Sequence, residues 1–578
     1  MNSNTINIES DLVEEEKRLT PVKRLFRMLS LDKNEIFIIY AYAIFNGFIY
    51  LSLPLGIQAI VGFVIGAQFS ASWGLLIFIV VVGVAASGII QILQLSLTEL
   101  LQQRIFTRAS FEFAYRIPRF RMESITDFYP PELMNRFFDT LNIQKGLPKL
   151  LIDFSTSSLQ ILFGLILLSF YHPFFVFFGL FLIGLVALIF FLTGPKGLKT
   201  SILESKYKYQ VAHWLEELAR VMGTFKLAGE TNLPIDKMNT YVKKYLKYRK
   251  QHFNVLIFQF SNIVAFKTII TGGLLILGSV LVINQEINLG QFVASEIIIL
   301  LVLNSVEKLI LSMETVYDVL TGLEKLGQVT DIPLEDADGI PVDQIHNDEG
   351  LSLELTDLSY RFPGNSKYAI KDVNMKINAG EKVVISGINQ SGKSTLIGVI
   401  SGLFTNFEGS VLLNGIPLND MDLTSVRSVI GDNLKLQDLF HGTLKENITV
   451  GKEDISLENI LWAIESVGLG HYFKHLPKGL NTEIKPEGQG LSDSVKQKII
   501  LARTIAEMPK LIVMDNALQG LDYEDRVNIS KILLDKKNPW TLLAISSDPL
   551  MINQCNKIVT MEYGQVVDIS KPEIPSHA

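Results

Sequence analysis

The sequence predicts two parts of different class: an all-α domain of six membrane-spanning helices, then an α/β domain built around a phosphate loop. Three observations predict it. Six apolar stretches of bilayer length occupy the first half. After an acidic connector the pattern turns to alternating strands and helices. One of those strands runs into a glycine-rich loop that opens a helix, Gly387 to Ser394. At 578 residues the chain is too long for one core, and 48% hydrophobic with 19% charged residues fits a membrane half joined to a soluble half. The net charge of -7 gives no basic field, so nucleic acid is not an expected partner. The single cysteine, Cys555, excludes an intrachain disulfide and reads as a small buried apolar residue.

The membrane half is read in chain order. Residues 36–65, 73–97, 150–171, 255–283 and 289–311 are each long enough to cross a ~30 Å hydrocarbon layer as a helix, and 174–192 makes the sixth span. His172 and Pro173 separate the third span from the fourth. The short connections 66–72, 172–173 and 284–288 contain no Lys or Arg. The N-terminal segment carries Lys17, Arg18, Lys23, Arg24, Arg27 and Lys33, and the connection 98–149 carries Arg104, Arg108, Arg116, Arg119, Arg121 and Arg136. Positive charge accumulates on the cytoplasmic side, which places both termini there. Glu14, Glu15 and Glu16 interrupt the region where a cleavable signal peptide needs an apolar core, so none is expected.

The two long connections, 98–149 and 193–254, read as helices that leave the membrane, each with a break at which a short transverse helix is expected. The breaks are Tyr129-Pro130-Pro131 and Leu227-Ala228-Gly229. Lys267 and Glu296 are ionisable residues inside spans and need partners. Counted from the outer connection, Lys267 lies about 24 Å deep and Glu296 about 10 Å deep, so a direct pair requires both side chains to stretch. The alternative is that each faces the bundle interior and bonds locally.

The second half opens with the acidic, Gly- and Pro-containing connector 331–350. The strand Lys382-Val383-Val384-Ile385-Ser386 leads into Gly387-Ile388-Asn389-Gln390-Ser391-Gly392-Lys393-Ser394 and then Thr395, the G-x-x-x-x-G-K-S pattern. Glycines there let backbone N–H groups converge on phosphates, the helix N-terminus adds positive potential, Lys393 neutralises the β- and γ-phosphates and Ser394 is a candidate Mg²⁺ ligand. The apolar strand Leu511-Ile512-Val513-Met514 ends in Asp515, the second candidate Mg²⁺ ligand. ATP and Mg²⁺ are the expected cofactors.

These motifs imply a nucleotide and not yet a function. Joined to six spans and two long extensions, they resemble the exporter half-transporters of the ATP-binding-cassette (ABC) superfamily over nearly the whole chain. The resemblance implies the type 1 exporter fold, with a cytoplasmic segment at 1–34, a transmembrane domain at 35–325, a linker at 326–350, a nucleotide-binding domain at 351–570 and a tail at 571–578. It places Phe362 where the family stacks an aromatic on adenine, and likens Gly520-Leu521-Asp522 to the family's D-loop. Gly290-Gln291-Phe292-Val293-Ala294-Ser295-Glu296 is similar to bacterial type 1 secretion transporters, which admits a periplasmic adaptor as partner. The implied setting is the bacterial inner membrane, and the implied assembly a homodimer or a heterodimer with another ABC half-transporter.

Against that pattern the hydrolytic positions have changed. The family signature becomes Leu491-Ser492-Asp493-Ser494-Val495, with a carboxylate where a glycine lets backbone approach the γ-phosphate. Asp493 is expected to repel phosphate or to cap its own helix. The glutamate that polarises the attacking water becomes Asn516, and an amide cannot take a proton. The histidine becomes Ser547, and the loop glutamine becomes Lys435, with Gln437 as the alternative if the loop is two residues out of register. Two outcomes follow: an exporter with weakened hydrolysis, or a non-hydrolysing pseudo-ATPase that serves a secretion assembly as a regulatory or structural subunit.

Overall fold

The computed structural model of the chain describes residues 19–66, 71–126, 128–335, 338–342, 350–435 and 437–572. Glu14 to Arg18, most of the connection 66–72, residues 336–337 and 343–349 of the connector and residues 573–578 of the tail lie outside the described residues. Two compact units form: Met1–Pro118 with Phe128–Ile332, and Arg119–Asp127 with Pro333–Ala578.

The first unit is helical. A short helix α1 (Pro21–Leu29) starts at the Thr20 cap with Pro21 in its first turn, where a missing N–H costs nothing. Six long helices follow: α2 (Lys33–Ile65), α3 (Ala71–Arg116), α4 (Asp139–Ser169), α5 (Phe174–Arg220), α6 (Leu233–Ile283) and α7 (Leu289–Thr330). All six are long and apolar enough to cross a membrane. Helices α3, α5 and α6 have 46, 47 and 51 residues, far more than a bilayer needs, and the surplus is the charged extension that the sequence predicts. His172 and Pro173 do break α4 from α5, and the His172 ring lies 3.1 Å from Glu286. Asn288 and Gln291 form a reciprocal capping box that starts α7.

Small residues set the packing of α4 on α7. A Cβ added at Gly146 would fall 2.5 Å from Val319, and one at Gly164 would fall 2.6 Å from Val302, so only glycine allows this approach. Ile161, Leu165, Phe178, Leu182, Ile298 and Val306 fill the bundle interior, while Phe177, Phe191 and Ile276 point outward uncovered, as lipid-facing side chains do.

As the depth count implies, Lys267 does not meet Glu296: its ammonium donates to Glu307 at 2.8 Å and to Asn304 at 3.2 Å. Glu307 lies 18 residues beyond the start of α7, about 27 Å along the helix, level with Lys267 on the antiparallel neighbour. The same depth count that disfavoured Glu296 therefore selects Glu307. At the first break Tyr129 caps the five-residue helix Pro130–Met134, after the short 3₁₀ turns Ile117–Arg119 and Met122–Ile125 that leave α3. At the second break, Leu227 ends the six-residue helix Met222–Leu227, and Gly229 turns the chain with φ +74°.

The second unit holds strands β1 (Leu353–Tyr360), β2 (Ile370–Ile377), β3 (Lys382–Gly387), β4 (Glu408–Leu413), β5 (Ile416–Pro417), β6 (Ile430–Asn433), β7 (Gly442–Thr443), β8 (Glu483–Ile484), β9 (Leu511–Asp515), β10 (Thr541–Ile545), β11 (Lys557–Glu562) and β12 (Gln565–Ser570). An antiparallel sheet runs β2-β1-β4-β5, and a six-stranded sheet runs β12-β11-β3-β10-β9-β6. In the latter, β11, β3, β10, β9 and β6 are parallel. Every residue of β9 and β10 is buried, which is why they read as unbroken apolar runs. The segment Arg119–Asp127 belongs to this unit: Phe120 bridges to Leu334, the Glu335 N–H donates to the Arg119 carbonyl at 2.8 Å, and Glu123 accepts from the Thr405 N–H at 2.6 Å.

Candidate functional site

Parallel strands all end on the same side, so their carboxyl ends deliver side chains to one edge. Strand β3 runs into the loop Gly387 to Ser394, β10 leads to Ser547, β9 ends on Asp515 and Asn516, and β6 leads to Lys435. Ile545 is level with both Ile385 and Asp515, which fixes the heights of the three central loops.

The loop is made by backbone that other residues would not adopt. Gly387 has φ +138°, and a Cβ there would lie 2.1 Å from the Met561 carbonyl oxygen. Gly392 has φ +88° and stands at the N-terminus of α8 (Lys393–Ile400), where a Cβ would lie 2.5 Å from the Ala369 carbonyl oxygen. Gly387, Ile388, Asn389 and Gln390 are exposed, whereas Ser391 is buried beneath them. Lys393 folds back over the loop and donates to the carbonyls of Gly387 at 2.9 Å and Ile388 at 2.6 Å and to Ser391 Oγ at 3.1 Å. Desolvation lowers its pKa, opposed by Asp515 and reinforced by Lys435. Thr395 follows in the first turn of α8.

Asp515 is buried, and both of its oxygens are engaged. Ser394 Oγ donates to Oδ2 at 2.6 Å, Asn516 Nδ2 donates to Oδ1 at 2.8 Å, and the Lys435 ammonium lies 3.6 Å from Oδ1. Asn516 itself has φ +54°, a conformation asparagine tolerates, and its N–H donates to the Ile545 carbonyl at 2.9 Å. Ser394 and Asp515 thus form a hydroxyl–carboxylate donor pair of the kind that Mg²⁺ takes together with water and phosphate oxygens. The donor types suit the ion, but the Lys435 ammonium, a positive charge 3.6 Å from the same carboxylate, disfavours a divalent cation there.

Lys435 and Gln437 face different partners. Gln437 Nε2 is hydrogen-bonded to Asp432 Oδ1, on a carboxyl whose pKa burial raises, so Gln437 is turned away from Asp515 and Lys435 faces it. Phe362 sits in an aromatic cluster, edge-on to Tyr360 at 5.1 Å and to Phe404 at 5.4 Å between ring centres. Ser547 is exposed beyond the end of β10. The helix Asp493–Ala506, expected to be capped by Asp493, is capped by Ser492, whose Oγ accepts from the Val495 N–H at 3.4 Å. Asp493 stands at the first helical position, fully exposed and 3.9 Å from Lys496.

Glu123 was not singled out by sequence. Its only signal there is position, since it lies in a basic connection just before a Pro-Pro break.

Comparison with known proteins agrees with this geometry. The ABC transporter family model matches residues 370–519, and the model of the ABC transporter transmembrane region matches residues 36–306. The chain is 28% identical over 291 residues to the ATP-binding/permease protein YgaD of Bacillus subtilis (strain 168), covering 50% of each. It is 27% identical over 296 residues to the leukotoxin translocation ATP-binding protein LktB of Mannheimia glucosida, covering 51% of this chain and 41% of that protein. The match to the toxin RTX-I translocation ATP-binding protein of Actinobacillus pleuropneumoniae is 28% over the same length. The chain therefore spans about half the length, or less, of the curated relatives it matches. A solved bacterial Atm1-family ABC exporter with ATP bound has the same fold, with a TM-score of 0.77, 95% coverage of both chains and 17% identity.

Proposed function

The chain belongs to the ABC transporter superfamily, with the transmembrane-then-nucleotide-binding layout of an exporter half-transporter, and on that premise we propose that it binds ATP to drive export with weakened hydrolysis. Residues 35–325 serve as the transmembrane domain and 351–570 as the nucleotide-binding domain. The setting is a bacterial inner membrane with both termini cytoplasmic, and the substrate is unassigned. The observation that carries this reading is one sheet edge bearing a complete phosphate loop beside an amide, Asn516, in the place of a base.

Each residue's part follows from its chemistry. The N–H groups of 387–394 and the Lys393 ammonium bind the phosphates, with Phe362 against the base. Ser394 and Asp515 stand where the family pattern would hold Mg²⁺ for charge neutralisation at the β- and γ-phosphates, but here the Lys435 ammonium lies beside that carboxylate. Asn516 can orient a water but cannot remove its proton, and Ser547 lacks the imidazole that would reach the γ-phosphate. Removing a general base typically slows a reaction by ~10²–10⁴-fold, so binding survives while cleavage is slow. The assembly is a homodimer or a heterodimer with another half-transporter, each ATP lying between one chain's loop and the other's 491–495 segment. The exposed Asp493 carboxylate weakens that clamp, so no dimer containing this chain has a fully intact site.

The concurrence of Asn516, Ser547 and Asp493 also supports a second reading, a non-hydrolysing subunit that uses ATP as a regulatory or structural ligand in a secretion assembly, with a periplasmic adaptor as a partner class. Purified full-length chain assayed for ATP binding and phosphate release tests both. We expect binding that Lys393→Ala weakens by about 10–100-fold, the loss of a charge-assisted contact, and slow release that Asn516→Glu raises. Release that Lys393→Ala abolishes but Asn516→Glu leaves unchanged would overturn weakened hydrolysis. Retained binding with release no greater than that of Lys393→Ala selects the second reading.

A further inference from the structure

Two ammonium groups and one carboxylate share the edge of the sheet at the phosphate loop. Asp515 offers one negative charge, while Lys393 and Lys435 bring two positive ones to the same edge, with Lys435 Nζ 3.6 Å from Asp515 Oδ1 and Lys393 Nζ held over the loop at Gly387 and Ile388. A divalent cation at Ser394 and Asp515 would add two more positive charges next to an ammonium that already neutralises the carboxylate. Mg²⁺ demands near-ideal octahedral geometry and gives up water reluctantly, so it gains least from a carboxylate that is already paired. An ammonium carries three donors and no acceptor. Paired with Asp515 by charge at 3.6 Å rather than by a hydrogen bond, it keeps its donors for phosphate oxygens.

Three features hold Lys435 to this task. The parallel pairing of β6 with β9 ends both strands at the same edge and sets the loop beside Asp515. Gln437, the nearest other polar side chain of that loop, is tied to Asp432. Asn516 donates to the same Oδ1 that faces Lys435, so no acidic side chain at position 516 competes for the ammonium.

We infer that Lys435 is the resident counter-cation of this phosphate loop, taking the metal's place beside Asp515, so that the chain binds nucleoside triphosphate with little or no requirement for Mg²⁺. This rests on the nucleotide-binding reading above. The test is equilibrium binding of ATP to the full-length protein in detergent, freed of metal and measured in EDTA and again with Mg²⁺. The expected result is a wild-type Kd in EDTA within about threefold of that in Mg²⁺. Lys435→Gln should raise the Kd in EDTA by about tenfold or more and regain affinity with Mg²⁺, whereas Lys435→Arg, which keeps the charge, should bind without metal. Wild-type binding that weakens about tenfold or more in EDTA overturns the inference and leaves the nucleotide reading intact. So does a Lys435→Gln ratio equal to wild type. Absence of binding in both conditions overturns both.

Discussion

Glu123 connects a turn that leaves a long membrane helix to the far end of the phosphate-loop helix. Its Oε1 accepts the backbone N–H of Thr405 at 2.6 Å and that of Asn406 at 3.3 Å, in the loop between α8 and β4. The segment is further fixed by Arg121, whose N–H donates to the Pro333 carbonyl at 3.1 Å and whose Nε donates to the Leu334 carbonyl at 3.0 Å. Glu123→Ala leaves those bonds and removes only the two at the loop. Hydrogen bonds to a charged group contribute about 1.5–3 kcal/mol, and since Glu123 is half-buried and its second bond is long, the lower end applies, about 1.5 kcal/mol. If that stabilises the closed form of the loop, its loss speeds amide exchange at 405–406 about tenfold. Hydrogen-exchange mass spectrometry of the full chain reads this directly, with β9 as an internal control. Glu123→Gln, which keeps a carbonyl acceptor, should show a smaller effect. Unchanged exchange at 405–406 in Glu123→Ala, or equal acceleration in β9, refutes the reasoning.

Other outcomes follow from the same geometry. Gly392→Ala combines positive φ with a 2.5 Å approach to the Ala369 carbonyl, so it should destabilise the nucleotide-binding unit by about 2 kcal/mol or more and lower its melting temperature. Lys267→Met leaves Glu307 unpaired among apolar helices and should cost about 2.5–3.5 kcal/mol, while Lys267→Met with Glu307→Leu should cost less, as read from thermal stability in detergent. Lys382 is buried and donates to the Trp540 carbonyl at 2.5 Å, and burial pushes its pKa down to about 8. Between that pH and the unfolded lysine value the unfolded chain holds more protons, so stability should rise with pH, by at most about 1.4 kcal/mol per unit, and Lys382→Met should flatten the rise.

Much of the architecture is legible without coordinates because its causes are local. A bilayer needs about 20 apolar residues per helix, and residues 36–65 and 289–311 provide them whatever they pack against. The phosphate loop is likewise written in consecutive residues, because Gly387 and Gly392 answer to backbone angles at their own positions. Lys267 and Glu307 lie at matching depths on antiparallel helices, a relation that follows from counting residues along each span.

Residue identity and spacing along the chain suffice to read six membrane spans and a phosphate loop, because neither needs a distant partner to be recognised. Only the tertiary structure decided that Lys435, and not Gln437, faces Asp515, and that Glu123 reaches Thr405 and Asn406 from 282 and 283 positions away. Contacts of that kind depend on strand register and on which side chain wins a partner, and those are settled by the whole sheet at once.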